Sequence, residues 1–120
     1  MSKELHLFPD SALIPDYQQL YKEVAAQISK DFYPHVEMDS PPEILSSEWL
    51  FTELKKMLTE IVEKKHQALG AIVYRVDLSE KLVNNTMRQT NQMHRLDELT
   101  ALVLKREAQK VWIRRNYRSD

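Results

Sequence analysis

The 120-residue chain carries 17 basic and 18 acidic side chains, four histidines, no cysteine and one glycine, Gly70. Without cysteine it has no disulfide, zinc–thiolate site or thiol nucleophile, and one glycine is too few for the phosphate-binding loops of nucleotide-dependent enzymes. No apolar run approaches the roughly 20 residues of a membrane helix and no secretory signal is visible, so we expect a cytoplasmic, single-domain protein.

The abundance of Leu, Glu, Lys, Gln, Arg and Ala predicts an all-α protein, because these residues lose least on entering a helix. The expected architecture is a compact three- or four-helix bundle with a long antiparallel helical hairpin and an extended N-terminal lead-in. The lead-in comprises residues 1–15, which combine apolar side chains with Pro9 and Pro15. A first helix is predicted over residues 16–33, because apolar side chains recur there with helical spacing until Pro34 ends it.

Ser40-Pro41-Pro42-Glu43 has the pattern of a helix start. It offers a capping serine, a proline at the first helical position and a glutamate that can bond back to the cap. The pattern predicts a middle helix, or a pair of helices, over residues 41–78. Residues 71–76 also suit a strand by residue type, but the apolar face continues through them in helical register, so we predict a helix there.

A final helix is predicted over residues 91–117, after a polar connection. Long helices joined by a short connection lie antiparallel, and the implied register places Arg106 opposite Glu63 or, one turn away, Glu60. Residues 74–77 carry an arginine and an aspartate at the predicted end of the middle helix. We interpret these charges as a clamp on the region 91–98, and the alternative is a recognition patch.

Glu63 and His66 form the pair most typical of a cofactor site. A glutamate and a histidine three residues apart on a helix make half of a ferritin-like di-iron site. The other half would come from His94 and Glu98, which the antiparallel register places roughly 13 Å away along the helix axis. We therefore interpret Glu63 and His66 as part of a solvated helix face and predict no cofactor. A metal- or ligand-binding bundle is kept as an alternative.

No arrangement of residues in the sequence predicts catalysis. The serines fall at predicted caps, turns or exposed positions, and a glycine-flanked nucleophile cannot be written. Neighbouring carboxylates such as Asp97 and Glu98 point in different directions on a helix. We therefore predict no catalytic residues, while a site assembled only in the folded protein stays open.

Charge is distributed unevenly along the chain. Residues 1–100 carry 11 basic and 16 acidic side chains, whereas residues 101–120 carry six basic and two acidic ones. We interpret the basic end as cations that the dipole favours at a helix C-terminus. The alternative is a nucleic-acid-associated protein that contacts phosphates through Arg106, Lys110, Arg114, Arg115 and Arg118.

Val111, Trp112, Ile113 and Tyr117 bear most directly on function. Three consecutive large apolar residues cover about 200° of a helix, which is wider than one core-facing stripe. Either the lead-in folds back over them, in which case Trp112 belongs to the core, or another chain covers them. We predict a contact between chains, through which the protein acts as an interaction or adaptor module with another protein or with itself.

Overall fold

The chain is helical wherever the structure describes regular secondary structure. The computed structural model describes residues 7–8, 17–88 and 91–117, with the backbone alone at residues 92 and 93. These residues form five α-helices and no strand, which confirms the predicted all-α class. The helices are α1 (Tyr17–Phe32), α2 (Ser47–Lys64), α3 (Leu69–Val76), α4 (Glu80–Met87) and α5 (Gln92–Asn116), with a short 3-10 turn, His66–Ala68, between α2 and α3.

One hydrophobic core joins the helices. Apolar side chains spaced three or four residues apart give α1, α2 and α5 each a buried face, and α3 adds a shorter one. The largest fully buried apolar side chains are Leu20, Ile28, Phe32, Leu50, Leu54, Met57, Leu58, Ile61, Ile72, Leu99 and Leu104. Residues 71–76 lie within α3, so their predicted helical state is confirmed. None of the described helices combines the length and the apolar composition that crossing a bilayer requires.

Helices α1 and α2 run in the same direction. At their N-terminal ends, the Gln18 side chain donates to the Leu45 carbonyl at 2.6 Å and accepts from the Leu45 amide at 2.8 Å. At their C-terminal ends, the Lys65 ammonium donates to the carbonyl of His35. The intervening segment, residues 33–46, therefore returns along the length of both helices before α2 begins.

Helix α5 runs antiparallel to α1 and therefore also to α2. Lys110, in the last third of α5, pairs with Asp31 at the end of α1 (2.6 Å), and Arg115, near the end of α5, pairs with Glu23, which lies earlier in α1 (3.6 Å). A third ion pair, Lys55–Asp97 at 2.7 Å, joins α5 to α2. Between α2 and α5, the short helices α3 and α4 interrupt what the sequence predicts as one long hairpin.

The predicted start of the middle helix is wrong. Residues 41–46 are not helical, and α2 begins at Ser47 with Ser46 as its N-cap, whose hydroxyl accepts from the Trp49 amide at 3.0 Å. Two consecutive prolines hold the residues before them away from the helical region. In addition, the Gln18 side chain makes hydrogen bonds with both the amide and the carbonyl of Leu45, which hold the chain in place immediately before the cap.

Replacing Ser46, the observed N-cap, should lower the stability of the protein, whereas replacing Ser40, the predicted N-cap, should not. We expect Ser46→Ala to lower the free energy of unfolding by about 1 kcal/mol, because the Trp49 amide loses its acceptor. Ser40→Ala is the matched control and should change it little. Urea denaturation followed by circular dichroism measures both. Equal effects of the two substitutions would contradict the assignment of Ser46 as the cap.

The predicted pairing of Arg106 with Glu63 or Glu60 is also wrong. Arg106 instead bonds Asp77 twice, with Nε 3.0 Å from the Asp77 carbonyl oxygen and Nη2 2.7 Å from its carboxylate. The register shifts because α2 ends at Lys64, and α3 then carries Asp77 to α5. Asp77 ends α3 in the left-handed conformation (φ 65°, ψ 51°), which aspartate tolerates better than most residues.

Arg75 and Asp77 hold the end of α3 in place, as predicted, but their partners differ from the predicted ones. The Arg75 guanidinium donates to the carbonyl of Tyr33 at 2.5 Å, and Asp77 holds Arg106. The prediction that they hold the region 91–98 is therefore wrong. Of the predicted lead-in, Leu7 and Phe8 are described and pack on the core; the rest of the lead-in lies outside the described residues, as does Arg118.

Candidate functional site at the contact of α1 and α5

Four aromatic rings connect the start of α1 with the end of α5. We call Phe8, Tyr17, Tyr21 and Trp112 the aromatic cluster. The Phe8 ring centroid lies 5.8 Å from that of Trp112 and 6.2 Å from that of Tyr21, and the Tyr17 and Tyr21 centroids lie 6.1 Å apart. Tilted ring pairs of this kind attract each other through the quadrupoles of their π-systems. Because Phe8 contacts Tyr21 of α1 and Trp112 of α5, it links the two helices at this end of the bundle.

The structure separates the four residues that the sequence groups as an interface. Val111 is fully buried in the core, so its assignment to a surface contact is wrong. Trp112 is half-buried and packs against Phe8, which is the fold-back that the sequence leaves open. Ile113 and Tyr117 are 43% and 78% exposed and lie one helical turn apart. Because successive residues of a helix point about 100° apart, one stripe cannot bury all three of residues 111–113.

The cations of the alternative nucleic-acid surface have partners within the chain. Arg106 pairs with Asp77, Lys110 with Asp31, and Arg115 with Glu23. The Arg114 guanidinium donates to the side-chain oxygen of Gln27 at 2.9 Å. These four contacts fix α5 to α1 and α3, so binding phosphates would compete with partners that the side chains already have.

A cluster of polar side chains lies between α1 and α5 below the aromatic cluster, and three of its members, Gln27, Asp31 and Glu107, are buried. We call Gln27, Asp31, Glu107, Lys110 and Arg114 the carboxyl cluster. The Lys110 ammonium lies 2.6 Å from Asp31 Oδ2 and 3.0 Å from Glu107 Oε1, while Gln27 Nε2 donates to both Asp31 carboxylate oxygens at 3.1 Å. Glu107 is fully buried and Asp31 nearly so.

The pKa values of the two buried carboxyls are shifted in opposite directions. Burial raises the pKa of Glu107, its hydrogen bond with Asp31 adds to the rise and Lys110 opposes it, so that the pKa lies at about 8. Burial also acts to raise the pKa of Asp31, but hydrogen bonds from Glu107, Lys110 and Gln27 outweigh it and hold that pKa below its ordinary value. At neutral pH, Glu107 is therefore a neutral acid that donates to an ionised Asp31.

Sequence reasoning missed the carboxyl cluster, although one signal was visible. Glu107 lies four residues after Val103 and four before Val111, in the middle of the apolar stripe of α5. A carboxylate at that spacing is a buried carboxylate, which must be paired or neutral. No local pattern identifies Asp31 as its partner, because the two residues belong to helices far apart in sequence.

The structure does not place Glu63 and His66, the pair of the metal-binding alternative, on one helix. Glu63 lies in α2, which ends at Lys64, whereas His66 opens the 3-10 turn. His94 and Glu98 do pair on the surface of α5 at 2.9 Å. Within residues 7–8, 17–88 and 91–117, no three potential metal ligands of the His, Cys, Asp or Glu type are grouped.

No protein-family model matches the chain, and neither a curated protein nor a solved structure is significantly similar to it.

Proposed function

We propose that the protein is a cytoplasmic, non-catalytic interaction module that binds a second copy of itself through the last turns of α5. The observation that carries this proposal is the exposure of Ile113 (43%) and Tyr117 (78%) on successive turns. Together with the exposed edge of Trp112, they leave apolar area in water whose burial is favourable by about 25 cal/mol per Å². Aromatic side chains are also the commonest anchors of protein interfaces.

Charge supports a second copy as the partner. The same end of the bundle carries both signs, since Arg115 of α5 and Glu23 of α1 lie 3.6 Å apart with side chains 43% and 28% exposed. In a two-fold symmetric contact each copy meets the same surface of the other, so a surface with both signs can be self-complementary. The formal net charge of −1 adds little repulsion between copies.

The test is the mass of the protein in solution. We expect sedimentation velocity to give a dimer for the wild type and a monomer for Ile113→Ser combined with Tyr117→Ser. Both replaced side chains are exposed, so the fold should be kept. Replacing Trp112 would be ambiguous, because Trp112 also packs on Phe8.

Leu82→Ser is the matched control. Leu82 is 49% exposed on α4, so the substitution removes a comparable apolar surface elsewhere, and the dimer should persist. A wild type that stays monomeric at every concentration would refute self-association. A dimer that survives the paired substitution would place the contact elsewhere on the protein.

A further inference from the structure

Two buried carboxyls in the carboxyl cluster share a single ammonium group. Glu107 of α5 is 0% exposed and Asp31 of α1 is 5% exposed. Lys110 donates to Asp31 Oδ2 at 2.6 Å, whereas its 3.0 Å approach to Glu107 Oε1 lacks hydrogen-bond geometry, so neither Glu107 oxygen accepts a hydrogen bond from a described residue. A fully buried carboxylate without a donor is unfavourable, whereas a protonated carboxyl can donate to Asp31. The geometry therefore fits one proton and one negative charge between the two carboxyls.

The remaining groups around the cluster hold Asp31 and Lys110. Lys110 also donates to the main-chain carbonyl of Arg75 at the end of α3 (3.0 Å), and the Arg75 guanidinium turns away to Tyr33. Arg114 acts on Asp31 only through Gln27. Among the described residues of α3 and of the last turns of α5, the Lys110 ammonium is therefore the one cation near Glu107, and it makes no hydrogen bond to it.

The charges that act on Glu107 come from α1 and α5. They are Asp31 across the helix contact and Lys110 one turn along α5. On α2, the buried carboxylate is Glu53, which is held at a separate place by Lys56 at 3.0 Å. While Glu107 is protonated, the positive charge of Lys110 balances the negative charge of Asp31. Loss of that proton leaves two negative charges against one positive charge, and the repulsion acts between α1 and α5.

We propose that the α1–α5 contact is a proton-operated latch, closed while Glu107 is protonated and loosened when its carboxyl ionises beside Asp31. The same two helices carry three of the four rings of the aromatic cluster, so loosening the contact also moves Trp112 of α5 relative to Tyr21 of α1. The pKa of about 8 for Glu107 sets the change just above neutral pH. The latch is a property of a single chain and holds whether or not the chain self-associates.

Spin labels test the latch directly. The chain has no cysteine, so Ser29→Cys on α1 and Gln109→Cys on α5 give one labelled pair at exposed positions. Electron paramagnetic resonance then measures the distance between the labels. We expect a narrow distribution at about pH 6 and a longer, broader one at about pH 9, with the opening equilibrium rising about tenfold per pH unit up to the pKa of Glu107. An unchanged distribution would overturn the proposal.

Glu107→Gln in the same labelled chain is the decisive variant. Its amide still donates to Asp31 but cannot ionise, so the distance should stay short at both pH values. A change that persists in Glu107→Gln would assign the pH response to another group and overturn the proposal. Glu63→Gln, at an exposed position of α2, is the matched control and should keep the response. Labelled protein diluted into an excess of unlabelled protein excludes distances between copies.

Discussion

Replacing Lys110 with methionine is expected to lower the free energy of unfolding at neutral pH by about 3 kcal/mol. Methionine replaces most of the apolar stem of lysine but leaves the Asp31 carboxylate, 5% exposed, without its cation. Removing one partner of a buried ion pair typically costs about 3–5 kcal/mol. We expect the lower end of that range, because Gln27 and Glu107 still donate to Asp31. Urea denaturation followed by circular dichroism measures the loss.

Lys55→Met is the matched control for this substitution. Lys55 and Asp97 also form an ion pair between helices, at 2.7 Å, but their side chains are 35% and 48% exposed. Water screens such a pair, so the change should be under about 1 kcal/mol. Adding Asp31→Asn to Lys110→Met removes the unpaired charge and should recover part of the stability. Losses of similar size in Lys110→Met and Lys55→Met would mean that the carboxyl cluster is not isolated from solvent.

The stability of the wild type is expected to fall as the pH rises from the ordinary pKa of glutamate to that of Glu107. Glu107 has an ordinary pKa of 4.5 and a folded pKa of about 8, so over this interval the native state holds one proton more than the unfolded state. The free energy of unfolding then decreases by about 1.4 kcal/mol per pH unit, or roughly 5 kcal/mol in total. Above a pH of about 8 the contribution of Glu107 is lost and the curve levels off.

Asp31 sets the acidic side of the same profile. Its pKa is lowered from 3.8 on folding, so its contribution is present above that value and is lost as the pH falls below it. The two carboxyls together place their largest contribution between the ordinary pKa values of aspartate and glutamate, 3.8 and 4.5. Urea denaturation at a series of pH values measures the curve.

Glu107→Gln isolates the contribution of position 107, because all other titrating groups are common to both proteins. The variant should lose the fall with pH and be more stable than the wild type under alkaline conditions. Glu63→Gln should leave the wild-type profile unchanged. A wild type and a Glu107→Gln variant with parallel profiles would show that Glu107 does not carry the pH dependence.

The sequence predicted those parts of the fold that depend on neighbours along the chain. Apolar spacing gave α1 and α5 to within a residue or two of their observed ends, and it kept residues 71–76 helical against their strand-like composition. The predicted start of α2 was wrong because a contact from α1 determines where the helix begins. Gln18 bonds Leu45 across 27 residues, and no capping pattern can include such a partner.

The candidate site was predictable only in part, for the same reason. The apolar residues at the end of α5 are visible as a run, but which of them faces the core depends on Phe8, more than a hundred residues earlier. The cations of α5 are visible as charge, whereas their acceptors lie on α1 and α3. The carboxyl cluster exists only once α1 and α5 are in contact.

The antiparallel contact of α1 and α5 also orders events during synthesis. Asp31 and Lys110 are 79 residues apart, so α1 leaves the ribosome well before its principal partner is translated. Until then α1, whose buried face includes Leu20, Ile28 and Phe32, lacks one of the helices that complete the core around it. An exposed apolar face on a nascent chain is what chaperones bind, and non-local contacts of this kind slow folding. A ribosome stalled just before α5 should therefore carry a nascent chain with an undocked α1.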